Sequence, residues 1–221
     1  QPLAAIVNYA RGAIRRIQAE PPAELPVLAG VLERIAEQAS RAGEIIKRLR
    51  SFARKSEFRR APVDVNKVIG DMIRFCRPEA RRHAIELHAE LAAHLPAVLG
   101  DRVQIEQVLL NLLRNAMEAT TQAHGNGHGH GQHDAPPRTV TIRSERLPGP
   151  LVAVHVADRG HGLPDGGAER LFEQFYTTKP KGLGLGLSIS RSIMEAHGGA
   201  LWAENRSGGG AVFSLSLPAA A

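Results

Sequence analysis

Asn111 and Asn115 stand four apart in the run Gln107-Val108-Leu109-Leu110-Asn111-Leu112-Leu113-Arg114-Asn115-Ala116-Met117-Glu118-Ala119. That spacing puts both carboxamides on one helix face. The surrounding residues are mostly apolar, so the helix is expected to be buried, where an unpaired amide costs about 1–3 kcal/mol. Neutral amide oxygens suit Mg²⁺, a hard cation commonly shared with phosphates; hydrogen bonds between helices are the plainer alternative. In Val154-His155-Val156-Ala157-Asp158-Arg159-Gly160-His161-Gly162, a strand delivers an aspartate into a glycine turn. A buried carboxylate there can accept from an exocyclic amine such as that of adenine. Gly160 and Gly162 permit close backbone approach and positive φ.

Two further segments point to phosphate. In Leu171-Phe172-Glu173-Gln174-Phe175-Tyr176-Thr177-Thr178-Lys179 the aromatic residues can anchor a loop. The hydroxyls of Thr177 and Thr178 and the ammonium of Lys179 are then left for an anion. In Gly182-Leu183-Gly184-Leu185-Gly186-Leu187-Ser188 alternating glycines leave backbone amides open where a helix begins, a ready anion site. Glycine is entropically costly at such positions, so a ligand lying close to the backbone is the expected reason for them.

The elements that must position these residues can be read from periodicity. Helices are expected over residues 1–19 and about 24–58, separated by Glu20-Pro21-Pro22. In the second, Leu28, Ile35, Ala42 and Leu49 fall seven apart, accompanied by Val31, Leu32, Ala39, Ile45, Ile46 and Phe52. A heptad seam of that length calls for a partner, most simply a four-helix bundle formed by two copies of an antiparallel hairpin, although long seams also pack inside one domain. Beyond Arg60 the spacing predicts a strand at 61–65, a helix at 66–77 and a strand at 84–91. A helix at 103–121 and strands at 139–144 and 152–157 come next, then a helix at 186–197 and strands at 201–205 and 211–217. The fold class is therefore α+β: a helical hairpin over 1–60, then over 61–221 an α/β sandwich of antiparallel-type strands with helices on one face.

Composition bounds the rest. Hydrophobic residues make up 43% and charged residues 23% of the 221, ordinary for a soluble globular protein. No apolar run approaches the ~20 residues of a membrane span. The single cysteine, Cys76, excludes an internal disulfide and fits a reducing, cytoplasmic setting. A net charge of +6 raises nucleic-acid binding, but two Tyr and one Trp offer few stacking platforms. The basic cluster at Lys47, Arg48, Arg50, Arg54, Lys55, Arg59 and Arg60 reads as a solvated helix face or a surface for an acidic protein partner. His124, His128, His130 and His133 lie in a glycine-rich stretch, 124–137, expected to be a polar loop rather than an organised metal site.

Taken together and in this order, the four segments resemble the N, G1, F and G2 boxes of the sensor histidine kinases of two-component systems. Gly208-Gly209-Gly210-Ala211-Val212-Phe213 resembles the family's closing element, and Gln1-Pro2-Leu3 resembles the residues just after its phosphoacceptor histidine. The resemblance implies ATP and Mg²⁺ as ligands, with Asn115 and nearby Asn111 holding the metal and Asp158 recognising adenine. It implies that Thr177, Thr178, Lys179 and the amides of residues 184–188 surround the phosphates, under a lid formed by 165–185. It further implies a homodimer through the hairpin and a response-regulator receiver domain as partner, with no nucleic acid and no membrane contact by this segment. The accepting histidine is expected four residues before Gln1, so the chain as given is expected to bind ATP without phosphorylating itself.

ATP-hydrolysing clamps with the same nucleotide fold carry a glutamate four residues before the magnesium asparagine, to activate water. Here that position is Asn111, which cannot take a proton from water. A dimeric scaffold that senses nucleotide without catalysis is the remaining alternative.

Overall fold

A computed structural model describes residues 2–18, 25–53, 60–123, 138–164, 168–179 and 184–220, with the side chains of 2–4, 40, 41 and 44–53 also outside the description. The glycine- and histidine-rich stretch 124–137, the connection 19–24, and Gly182 and Leu183 therefore lie outside the described residues. The chain divides into two compact units, Gln1–Glu57 and Phe58–Ala221.

The first unit is a pair of packed helices, α1 (Pro2–Ile17) and α2 (Leu25–Ala53). Pro26 sits in the first turn of α2, where no intrahelical donor is lost. Along α2 the half-buried or buried positions Leu28, Val31, Ile35, Gln38 and Ala42 recur at three and four, as the heptad spacing requires. Of the described side chains only Ala42 is buried, whereas Ile14, Ile17, Leu25 and Leu32 are more than half exposed. Leu32 and Ala39, read from sequence as part of the seam, face away from it.

The second unit begins with β1 (Ala61–Val63) and α3 (Val65–Arg82). Asp64, expected inside a strand over 61–65, instead caps α3: its carboxylate accepts from the Lys67 amide at 3.1 Å. Sequence spacing ended this helix at Arg77, before Pro78, but it continues to Arg82. Cys76 and Ala80, 1% and 2% exposed, bury the same face on either side of the proline, and that packing outweighs the lost backbone bond. Next come β2 (Glu86–Leu91), β3 (Val98–Gly100), α4 (Arg102–Ala123), β4 (Thr139–Leu147), β5 (Leu151–Ala157), α5 (Gly186–Ala196), β6 (Ala200–Asn205) and β7 (Ala211–Pro218). Strand β3 was not expected; three residues are too few to show alternation, and it pairs antiparallel with β1.

The main sheet has the order β2-β4-β5-β7-β6. Its β2–β4 pair is parallel, a departure from the expected antiparallel set, because β3 and α4 intervene as a crossover. The other pairs are antiparallel. Helices α3, α4 and α5 contact the sheet and one another. The core lies between them, with Ile69, Ile105, Leu109, Leu112, Leu113, Ile142, Met194 and Leu215 at 1% exposure or less. On the alternate positions of β4, β5 and β7 stand Arg143, Glu145, His155 and Ser214, with Trp202 opposite Ser214 on the edge strand β6. There His155 bonds Ser214 Oγ at 2.8 Å and Glu145 at 3.0 Å.

Candidate nucleotide site

Helix α4 starts at a well-made cap: Asp101 accepts from the amides of Val103 (2.9 Å) and Gln104 (3.3 Å). The Asp101 amide in turn donates to Nε2 of His197 at 3.0 Å, while Nδ1 of His197 meets the Ile193 carbonyl at 2.7 Å. Nε2 therefore carries no proton and Nδ1 does, so this buried histidine, at the C-terminus of α5, is a neutral clamp between α5 and α4. Sequence reading missed it, since a lone histidine after a helix gives no signal of its partner.

Midway along α4, Asn111 Nδ2 donates to Ser190 Oγ on α5 at 3.0 Å. A Cβ on Gly186 would stand 2.6 Å from Asn111 Oδ1. Asn111 Nδ2 thus joins the two helices, the plainer of the two roles open to this residue from sequence, and Oδ1 stands on the side of Gly186. One turn on, Asn115 Oδ1 accepts from Lys179 Nζ at 2.8 Å, and the same ammonium pairs with Glu118 at 2.5 Å. The structure therefore brings Lys179 to Asn115 and adds Glu118, which sequence reading passed over although it lies on the same helix face.

Asp158 follows β5 and is 1% exposed. Its Oδ1 accepts from the amides of Gly160 (2.8 Å) and Ala211 (3.1 Å), and Oδ2 accepts no hydrogen bond among the described residues. Burial pushes this carboxyl above the usual carboxylate range, only partly offset by those two amides and by the charges of His161 and Arg206. The turn lies against α4 one turn beyond Asn115, where Ala119 fills the space a Gly160 side chain would need.

The loop before α5 is tied to itself. Phe175 has a positive φ of 67° and its amide donates to the Gly184 carbonyl at 2.9 Å. Gly184 has φ 66° and a Cβ there would stand 2.4 Å from the Phe175 carbonyl carbon. Protein atoms crowd the Cβ positions at Gly160, Gly184 and Gly186, so close packing is a further reason for glycine at these three positions. Thr177 Oγ1 accepts from the Lys179 amide at 3.1 Å, so that hydroxyl helps shape the turn that presents the ammonium; Thr178 is exposed beside it. Helix α5 has no side-chain cap at Leu185, and Ser188 Oγ donates back to the Leu185 carbonyl at 3.0 Å. The amides of Gly186, Leu187 and Ser188 thus belong to a first turn that has no intrahelical acceptors. Gly162, with φ 77°, continues the Asp158 turn, and Asn205 Oδ1 accepts from the next amide, Leu163, at 2.7 Å.

The arrangement can hold a divalent cation and phosphates at Asn115 and Lys179, and an amine-bearing ring at Asp158. Residues 100–221 match the family described as histidine kinase-, DNA gyrase B-, and HSP90-like ATPase. The chain is 41% identical over 220 residues to the sensor protein FixL of Bradyrhizobium diazoefficiens; the match takes in 100% of this chain and 41% of FixL. The chain thus spans about two fifths of that relative's length. Among solved structures, the nucleotide-free catalytic domain of histidine kinase ThkA aligns with a TM-score of 0.61 at 33% identity, over 73% of this chain and 96% of that one. ThkA in complex with the response regulator TrrA aligns with a TM-score of 0.73 at 28% identity, over 100% of this chain and 58% of that one.

Proposed function

This chain belongs to the sensor histidine kinases and carries their ATPase-type catalytic domain; from that premise we propose that residues 61–221 bind ATP with Mg²⁺ and present its γ-phosphoryl group to a histidine. Residues 1–60 then serve dimerisation and phosphotransfer. The observation that carries the reading is Asp158, an acceptor buried to 1% exposure whose second oxygen has no partner among the described residues. An exocyclic adenine amine supplies the missing donor.

The residues also fit a divalent cation, since Asn115 Oδ1 already faces a positive charge. A divalent cation held there would offset phosphate charge. Asn115 would hold the metal, while Asn111 holds α4 to α5 and would keep the α5 amides in register with it. Lys179, Thr177, Thr178 and the amides of residues 184–188 orient the phosphates and exclude water from them. Phosphoryl transfer breaks the bond between the γ-phosphorus and the bridging oxygen of ADP as an imidazole nitrogen bonds to phosphorus. The group then passes to an aspartate of a response-regulator receiver domain docked on the hairpin. Exposed Ile14, Ile17 and Leu32 support pairing of two hairpins in a homodimer. Asn111, with its amide committed to Ser190, supplies no base for attack by water, which favours transfer over hydrolysis.

The test is calorimetric titration of the chain with a non-hydrolysable ATP analogue, with Mg²⁺ and with EDTA. Binding strengthened by Mg²⁺, with that gain lost in Asn115→Ala, is the expected result; no binding by the unsubstituted chain would sink the reading.

A further inference from the structure

Lys179 does more than approach Asn115. Its Nζ lies 2.8 Å from Asn115 Oδ1 and 2.5 Å from a carboxylate oxygen of Glu118 at once. Asn115 and Glu118 are three apart on α4 and therefore share its face. The ammonium thus marks one position addressed by a carboxamide oxygen and a carboxylate oxygen together. The Lys179 and Glu118 side chains are 32% and 49% exposed, so water reaches the position as well. One carboxylate, one amide oxygen and space for waters is a donor set that suits Mg²⁺, which keeps several waters when it shares phosphate oxygens. Toward phosphate alone a carboxylate at that place is unfavourable, because like charges repel.

We propose that Glu118 forms the cation position jointly with Asn115, directly or through a metal-bound water, and that the Lys179 ammonium fills this position until metal and nucleotide displace it. The proposal rests on the nucleotide reading above and extends it to a residue outside the recognised segments' expected ligands. Displacement also gives Lys179 its second task. Released from Glu118, the ammonium becomes free for the phosphates at the moment the metal arrives.

A simple surface ion pair between Lys179 and Glu118 is the competing account, and such pairs contribute little. The two differ in one measurable quantity, the ratio of nucleotide dissociation constants without and with Mg²⁺. Removing a mere ion pair frees Lys179 equally in both conditions and leaves the ratio unchanged. Removing a metal-holding carboxylate lowers it.

The experiment is titration of the full chain with the non-hydrolysable ATP analogue in Mg²⁺ and in EDTA, for the unsubstituted protein, Asn115→Ala, Glu118→Gln and Lys179→Met. Glu118→Gln is expected to lower the ratio about tenfold, the usual loss when a supporting metal contact is removed. Lys179→Met, which removes the resident competitor, is expected to raise it. An unchanged ratio in Glu118→Gln, with Asn115→Ala still abolishing the magnesium gain, overturns this proposal and leaves the nucleotide site standing. A ratio lowered by Lys179→Met overturns the placeholder role. Absence of any magnesium effect on the unsubstituted chain overturns both this proposal and the metal role of Asn115. Glu118 is half exposed, so matching melting curves for Glu118→Gln and the unsubstituted chain separate these outcomes from misfolding.

Discussion

The two units of this chain are stabilised in different ways. In the second, α4 is wedged between sheet and helices, and Ile105, Leu109, Leu112 and Leu113 are all at 1% exposure or less. In the first, α1 packs against α2, and among the described side chains only Ala42 is buried, while Ile14, Ile17, Leu25 and Leu32 are more than half exposed. Two helices cannot enclose a core; a bundle of four can. The nucleotide unit therefore closes a core within one chain, whereas the described part of the helical unit does not.

The most severe challenge to that contrast is truncation in the core. Leu113→Ala is expected to destabilise the nucleotide unit by about 2–5 kcal/mol through the cavity it leaves. Calorimetry should show only the unit 58–221 melting earlier, and a shift of the helical unit by the same amount would mean the two are not independent. The hairpin should answer to dilution instead: its melting temperature falls with protein concentration, and Leu32→Glu makes the chain monomeric in sedimentation. The nucleotide unit should show no concentration dependence.

A smaller effect is expected from Asp64→Ala, which removes the α3 cap and costs about 1 kcal/mol. Cys76 offers the probe for it. Burial, with the Glu79 charge adding to it, pushes the thiol up to about 11, so at neutral pH it stays protonated and reacts only when the unit opens. Alkylation should be faster in Asp64→Ala and unaffected by Leu32→Glu.

The smallest effect changes sign between stability and binding. The folded state raises the Asp158 carboxyl, so it favours the protonated form, and ionisation there costs stability at neutral pH. Asp158→Asn keeps an oxygen for the Gly160 and Ala211 amides and removes that cost. Its melting temperature should exceed the unsubstituted protein's at pH 7, and the difference should vanish as the pH falls below about 4, where the aspartate is itself protonated. Nucleotide binding should be lost in the same variant.

The long periodic elements were legible in the sequence because each repeats its pattern enough times to be seen. Helix α4 and strands β5 to β7 differ from expectation by one or two residues at most. Three-residue β3 and the parallel pairing of β2 were not legible, since alternation reports a strand's faces and not its neighbour's direction. The run of α3 past Pro78 depended on what Ala80 packs against. At the site, residue types pointed to Asn115, Asp158 and Lys179 by the chemistry each could do. Sequence alone could not tell that Asn111 faces Ser190, that Glu118 shares the Lys179 ammonium, or that Gly160, Gly184 and Gly186 also clear space for protein. Those facts depend on which surfaces meet.

The His197 clamp has a mechanical consequence. Helices α4 and α5 are pinned twice, at the Asp101–His197 contact and again at Asn111–Ser190. Two rods fastened at two points neither slide nor swivel past each other. The opening amides of α5 and the carboxamide of Asn115 therefore form one stiff jaw with a fixed gauge. Lys179 already rests against that jaw at Asn115, so in the displacement proposed above it is the ammonium that yields, as a key-blank is pushed out of a lock, while the two helices hold their spacing.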